Sequence, residues 1–310
     1  MSEARIAWVA ADPASLAVLD MARRLAETAT TVLIVGESGT GKDQLARVIH
    51  QMGPRHDAPL LKIDCASLPQ ELVESELFGH ERGAFTGAVE RKRGRLEMAA
   101  GGTIALDEIA ALSIATQSKL LRVLEERSFE RLGGTDTLRI DARLVALTNA
   151  DLPRLVAAGR FREDLYFRLS VLTIRVPALR ERPADILPLA EHLLARLAAV
   201  HGRSEARLSD PTQRMLSAYA WPGNVRELKN AIEHALVFSN ATTLEPRDFP
   251  EGVRVADSGI GSGLRSLEEI EKDAIHATLE ALHYRITRTA EVLGISRKTL
   301  LDKRKKYGLD

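Results

Sequence analysis

Five short apolar, β-branched runs punctuate the first part of the chain, at residues 31–35, 60–64, 103–106, 144–148 and 171–176. Stretches with helical periodicity separate them, at 42–51, 116–127 and 162–169. Nearly continuous apolar runs alternating with helices predict a parallel sheet, because parallel strands need long crossovers and those crossovers cover both faces. After Pro183 the pattern changes. Residues 184–201, 212–220 and 225–239 read as amphipathic helices with no strand between them. Residues 250–263 then carry Gly252, Gly259, Gly261, Gly263, Ser258 and Ser262, and read as a flexible linker. From 264 to 310 the pattern is helical throughout, and no internal repeat is visible. The predicted organisation is an α/β unit at 1–180, a helical unit at 181–249, a linker at 250–263 and a helical module at 264–310.

Composition narrows this picture. The 310 residues are 45% hydrophobic and 28% charged, enough for packed cores in two or three units. Lys+Arg and Asp+Glu both number 43, so only the distribution of charge can speak of nucleic acid. It does so at one place. Between Tyr284 and Tyr307 stand eight bases, Arg285, Arg288, Arg297, Lys298, Lys303, Arg304, Lys305 and Lys306, against Glu291 and Asp302. A basic surplus on so short a segment is an electrostatic footprint for phosphates. Cys65 is the single cysteine, which excludes an internal disulfide and fits a reducing compartment. The residues after Met1 have no basic-then-apolar leader pattern. The longest apolar runs fall far short of the roughly 20 residues that span a bilayer. A cytoplasmic protein without membrane partners is expected.

The first predicted strand runs directly into Gly36-Glu37-Ser38-Gly39-Thr40-Gly41-Lys42 and then a helix. This is the strand–loop–helix setting of a phosphate-binding loop. Its glycines let backbone N–H groups approach phosphate oxygens, the helix N-terminus adds a favourable dipole, and Lys42 is placed to reach the β- and γ-phosphates of ATP. Asp43 stands where a magnesium-holding Ser or Thr is usual. Asp107 and Glu108 end the 103–106 strand; Asp107 is expected to hold Mg²⁺ and Glu108 to polarise the attacking water.

The insert Glu76-Leu77-Phe78-Gly79-His80-Glu81-Arg82 followed by Gly83-Ala84-Phe85-Thr86-Gly87-Ala88 resembles the bacterial enhancer-binding proteins, AAA+ activators of sigma-54 RNA polymerase. The resemblance runs from about residue 7 to 309. It implies an AAA+ three-layer αβα sandwich with a parallel sheet, a helical lid and a C-terminal helix-turn-helix domain. In the family the hexapeptide tips a mobile loop that touches sigma-54, so Phe85 and Thr86 are the expected contacts. An acid after the loop lysine is usual there, which makes Asp43 a mild variant. By the same resemblance Thr148 and Asn149 are polar sensors near the γ-phosphate, and Arg162 and Arg168 are arginine fingers that reach a neighbouring subunit's nucleotide. Trp221-Pro222-Gly223-Asn224-Val225-Arg226 resembles the lid's sensor segment, with Arg226 facing the phosphates and Asn224 capping the next helix. Asp64 replaces an Asn that holds the catalytic Glu in check. An ionised carboxylate cannot donate a hydrogen bond to another, so an altered Asp64–Glu108 switch is expected.

The segment 287–300 reads as helix, turn at Gly294 and helix capped by Ser296, similar to the Fis-type module of these activators. Arg297, Lys298 and Thr299 are placed for base edges; Lys303 and Arg304 are placed for phosphates. Residues 267–282 are expected to supply dimer contacts, hence palindromic upstream double-stranded sites. The resemblance implies a homo-oligomer from dimer to hexamer whose ATP hydrolysis converts the closed sigma-54 polymerase complex to the open one. The alternative is a DNA-binding regulator with weak or no remodelling.

Overall fold

The computed structural model describes residues 8–255, 267–282 and 284–308. Packing divides the chain into two compact units, Met1–Asp257 and Ser258–Asp310. In the first, five strands form one sheet: β1 (Val32–Val35), β2 (Leu60–Asp64), β3 (Thr103–Asp107), β4 (Arg143–Thr148) and β5 (Thr173–Arg175), ordered β2-β3-β4-β1-β5. All neighbours are parallel. Each strand matches a predicted run, with β5 trimmed at both ends.

Side chains of adjacent strand positions point to opposite faces, so both faces are apolar. Leu33, Ile104, Leu106, Leu144 and Ala146 meet Leu120, Val123, Leu165 and Leu169 on one side. Val32, Ile34, Ala105, Val145 and Leu147 meet Val18, Ala22, Leu45 and Ile49 on the other. Arg143 is an exception with a purpose. Its guanidinium donates to the Ala26 and Leu25 carbonyls at 2.8 and 2.5 Å, satisfying the C-terminal end of the helix Pro13–Ala26. The register Asp64↔Asp107 and Val35↔Thr148 aligns the carboxyl ends of four strands. Loops leaving that edge are where such sheets build sites.

The lid consists of helices Ile186–Val200, Asp210–Ala218 and Asn224–Phe238 around Leu194, Leu216, Trp221, Leu228 and Ile232. The expectation of no strand here is corrected by a parallel pair, Arg207–Leu208 with Thr243–Leu244. Two residues per strand are too few to display a period. The first predicted lid helix starts later than expected, because Pro183–Asp185 forms a 3₁₀ turn. Fully buried Asp185 accepts the Ala11 and Asp12 N–H groups at 2.6 and 2.8 Å and the Ser15 hydroxyl. The linker expectation is corrected at its start: Glu251–Val255 is helical and Val253 is buried in the lid core. Residues 256–263 lie outside the described residues.

Among the described residues the second unit has three helices, Leu267–Ala281, Ile286–Val292 and Arg297–Tyr307, closed on Ile275, Leu279, Ala290 and Leu300. Gly294 takes φ +66° in the turn, and the Ser296 hydroxyl accepts the Thr299 N–H at 3.0 Å. Among the described residues no helix is long and apolar enough to cross a membrane.

Candidate functional site

The loop 36–42 sits between β1 and the helix Lys42–Met52. Gly39 and Gly41 adopt φ +80° and +100°, and a Cβ on Gly39 would lie 2.4 Å from the Gly223 carbonyl. Glycine is therefore required both for the turn and for the lid's approach. Lys42 Nζ donates to the Gly36 and Glu37 carbonyls at 2.9 and 3.2 Å and lies 3.8 Å from Glu108 Oε1. Burial lowers its pKa, against the opposing pull of Glu108, Asp107 and Asp43.

Glu108 follows β3 with φ +50°, an uncommon backbone for a residue with a side chain. Its Oε2 accepts the Asn149 N–H at 3.1 Å, so the loop lysine, the acid and the end of β4 form one cluster. Asp107 lies beside it. Lys62, on β2, pairs with Asp107 Oδ2 at 2.7 Å and with Asp43. Burial works against the Lys62 charge, but hydrogen bonds to Asp107 and Asp43 outweigh it and its pKa is raised.

Asp64 finds its partners locally. Its Oδ1 accepts the Ala66 and Ser67 N–H groups at 3.0 and 3.2 Å, closing the turn after β2. Two local N–H donors satisfy the carboxylate, as short acidic side chains often do at turns. Glu108 instead engages Asn149 and Lys42. Neighbouring Cys65 is buried, and that burial, with Asp64, Asp107 and Glu108 nearby, pushes its thiol up to about 12.

The lid clasps the loop. Asn224 does not cap its helix: Gly223 is the N-cap, and Asn224 has φ +54°. Its amide spans elements instead. Oδ1 accepts the Leu179 N–H at 2.7 Å, and Nδ2 donates to the Ser38 carbonyl at 3.1 Å and Glu37 Oε2 at 3.2 Å. Val225 N–H donates to the Gly39 carbonyl at 3.0 Å, and Arg226 Nη1 to Ser38 Oγ at 2.8 Å. Arg180 forks onto Glu37 at 2.8 and 2.5 Å. That fork and the Asn224 hydrogen bond hold the Glu37 carboxyl at about 2.

Behind the loop lies a cavity of about 150 Å³ lined by Trp8, Thr40, Gly41, Arg182, Leu189 and Val225, among others. Buried Trp8 Nε1 and Arg182 Nε have no hydrogen-bond partner. The Arg182 guanidinium lies 5.7 Å from the Trp8 ring centroid and donates to the Thr40 carbonyl at 2.7 Å. Apolar walls with two unsatisfied donors suit a flat, hydrogen-bond-accepting ring such as a purine. The donor set also suits magnesium. Asp43 and Asp107 are hard carboxylates beside the phosphate loop, and magnesium binds with one or two carboxylates plus phosphate oxygens.

Arg162 and Arg168 bind elsewhere within their own subunit. Arg162 pairs with Asp164 at 2.6 Å, and Arg168 donates to the Leu124 carbonyl at 3.2 Å. Their helix, Glu163–Leu169, also leaves Phe167 exposed.

The insert rises as a hairpin from the antiparallel pair Gly79–His80 and Lys92–Arg93. Gly83 and Gly87 take φ +83° and +109°, and Gly83 N–H donates to the Ala88 carbonyl at 2.8 Å. Phe85 and Thr86 are exposed at the tip while Ala88 is buried; the Phe85 ring meets His80 edge-on at 5.0 Å. A second hairpin, Ser128–Glu130 with Thr137–Arg139, braces the first. Glu81 N–H donates to the Leu132 carbonyl at 2.9 Å. Buried Arg131 reaches Glu81 at 2.9 Å and Glu97 at 2.7 Å.

In the second unit Arg297 and Lys298 are exposed at the start of the last helix, and the Thr299 hydroxyl bonds Ser296 at 2.7 Å. Lys303 pairs with Glu271 at 2.5 Å and the Tyr307 hydroxyl donates to the same carboxylate at 2.7 Å, tying the last helix to the first.

Comparison with known proteins assigns each segment. Residues 8–175 match the sigma-54 interaction domain, 180–260 the AAA+ ATPase lid domain and 266–307 the Fis family of bacterial regulatory proteins. The chain belongs to the AAA+ sigma-54 activator family. Nitrogen fixation protein VnfA of Azotobacter vinelandii is 46% identical over 300 residues, covering 95% of this chain and 58% of VnfA. Transcriptional regulatory protein ZraR of Klebsiella oxytoca is 46% identical over 304 residues, covering 97% of this chain and 69% of ZraR. The solved structure of NtrX from Brucella abortus in complex with ADP superposes with a TM-score of 0.76 at 32% identity, over 98% of this chain and 70% of that one. The chain thus spans 58% of the length of VnfA and 69% of that of ZraR. In this activator fold, sequence reasoning missed Trp8, Lys62, Arg180 and Arg182 and mistook the role of Asn224. Arg180 and Arg182 lie in Val176–Arg182, which resembles the family's Pro-Pro-Leu-Arg segment, and Lys62 lies in the run before Asp64, but no role was read for any of the four, because their partners Glu37, Thr40, Asp43 and Asp107 come from other elements.

Proposed function

We propose that the chain is a sigma-54-dependent transcriptional activator, binding upstream DNA and using ATP hydrolysis in a ring to open the polymerase–promoter complex. The observation that carries the reading is the joining of two devices in one unit: a lid-clasped phosphate loop with Glu108 beside Lys42, and a braced hairpin presenting Phe85 and Thr86. In this reading the backbone of residues 36–41 and Lys42 bind the phosphates, and Trp8 and Arg182 receive the base. Asp43 and Asp107 would hold magnesium, which would supply neutralising charge for the phosphates. Glu108 takes a proton from the attacking water, in a position set by the Asn149 N–H. Arg226, held against Ser38, reports phosphate occupancy to the lid. Arg162 and Arg168 act on the neighbouring subunit's nucleotide, where a permanent planar charge stabilises the transition state. Hydrolysis moves the Phe85–Thr86 tip against sigma-54. Arg297, Lys298 and Thr299 read bases while Lys303 and Arg304 sit near phosphates, and dimers on palindromic sites assemble to a hexamer.

One observation favours a second reading. Asp64 closes a local turn instead of engaging Glu108, which suits a DNA-binding regulator with weakened coupling of hydrolysis to the partner. Abortive transcription from a sigma-54 promoter separates the two. Initiated product with ATP and none with a non-hydrolysable analogue supports remodelling. No product with either, together with an ATPase rate equal to that of Lys42→Ala, supports the second reading.

A further inference from the structure

Asp43 and Asp107 come from different elements, the first turn of the helix Lys42–Met52 and the end of β3, yet their carboxylates converge on one ammonium. Lys62 Nζ is 2.7 Å from Asp107 Oδ2 and also bonds Asp43 Oδ2. It arrives from the neighbouring strand, where Lys62 pairs with Ala105 and Asp64 with Asp107. Two ionised carboxylates brought this close repel unless a cation stands between them. A divalent ion on the same oxygens would compete with the ammonium for their lone pairs, and two cations so placed would repel each other. The oxygens can serve one fully at a time.

We infer that Lys62 is the positioning residue of the magnesium site: it holds Asp43 and Asp107 together as a resident cation and yields them when the metal arrives with nucleotide. This rests on the nucleotide reading above and extends it to how metal entry is gated. Lys62 prevents bare magnesium from occupying the carboxylates and couples metal binding to the phosphates that complete its coordination. Replacing Lys62 with Met has a consequence that a packing defect lacks. The carboxylates lose their counter-ion, and added magnesium supplies another.

The test is thermal melting of the full chain in EDTA and across a magnesium titration without nucleotide, beside fluorescence binding of a labelled ADP to the wild type. Lys62→Met is expected to melt below wild type in EDTA and to recover with magnesium, at a half-saturating concentration at least fivefold lower than wild type. Lys62→Arg should keep the wild-type profile. In the double variant Lys62→Met/Asp43→Asn the repelling pair is gone, so the EDTA deficit shrinks and the magnesium rescue disappears. Equal magnesium responses in wild type and Lys62→Met, or a rescue that persists in the double variant, overturn the inference while leaving nucleotide binding intact. Failure of the wild type to bind ADP with magnesium overturns the nucleotide reading itself, and the gating inference with it.

Discussion

Arg131 offers a sharp test of how the hairpin carrying Phe85 and Thr86 is held. Its side chain is 3% exposed, while Glu81 and Glu97 keep 31% and 19% exposure. Nη1 donates to Glu81 at 2.9 Å, and Nε and Nη2 donate to Glu97 at 3.2 and 2.7 Å. Burial raises the Glu97 pKa, but Arg131 and Arg93 overcome it and hold the carboxyl below its ordinary value. Removing one partner of a fully buried pair costs about 3–5 kcal/mol. Here both carboxylates retain some water and Glu97 keeps Arg93 at 2.7 Å, so Arg131→Met is expected to cost about 2–3 kcal/mol. A unit of this size loses roughly 2–4 °C per kcal/mol, which places the melting shift at about 4–12 °C. Arg131→Lys can meet one carboxylate but not both and should fall between. Calorimetry reads the shift, and parallel ATPase and promoter-opening assays below the melting range read its consequence. Hydrolysis should persist within about threefold while opening drops at least tenfold, because the second hairpin no longer braces the first. Melting of Arg131→Met within about 1 °C of wild type, or opening unchanged, refutes the reasoning.

Other regions give independent tests. The Glu37 carboxyl lies at about 2 against an ordinary 4.5 because Arg180 and Asn224 bind its charged form. That contribution is fully present above pH 4.5 and is lost as pH falls toward 2. Glu37→Gln should therefore flatten the acid limb of the stability–pH curve in that window, and an unchanged slope counts against the clasp. Burial puts the Cys65 thiol near 12, so the native protein should resist a thiol reagent at pH 8 and react within minutes in denaturant; fast native labelling contradicts the buried assignment. Arg297→Ala should cut affinity for the upstream site at least tenfold while lowering non-specific binding less, measured by fluorescence anisotropy at fixed salt. Equal losses on both DNAs would make Arg297 a phosphate contact.

The sheet was legible because buried parallel strands must be apolar, and 32–35, 103–106 and 144–147 show nothing but that constraint at their cores, while Lys62 interrupts it on β2 at the sheet edge. The phosphate loop was legible because Gly39 and Gly41 answer to backbone conformation, which a local pattern records. Asn224 shows the limit. Before a helix an Asn reads as a cap, but its partners Leu179 and Glu37 are 45 and 187 residues away, and only the fold brings them near. Lys62 drew no reading from the sequence, since nothing local marks its meeting with Asp43 and Asp107. Asp64 reads in the sequence as a weakened or pH-sensitive switch toward Glu108, and in the structure its carboxylate is taken by the local Ala66 and Ser67 N–H groups. Trp8 precedes every motif, and its role emerges only where it walls a cavity with Arg182.

Thr86 gives the central mechanical claim its most direct measurement, because it stands exposed at the hairpin tip, away from the Lys42–Glu108 cluster. Thr86→Tyr and Thr86→Asp should hydrolyse ATP within about twofold of wild type and yet form no detectable open complex at a sigma-54 promoter, scored by permanganate footprinting of the melted strand. Normal melting by either variant at an unchanged hydrolysis rate would contradict the claim that the tip transmits the work of hydrolysis.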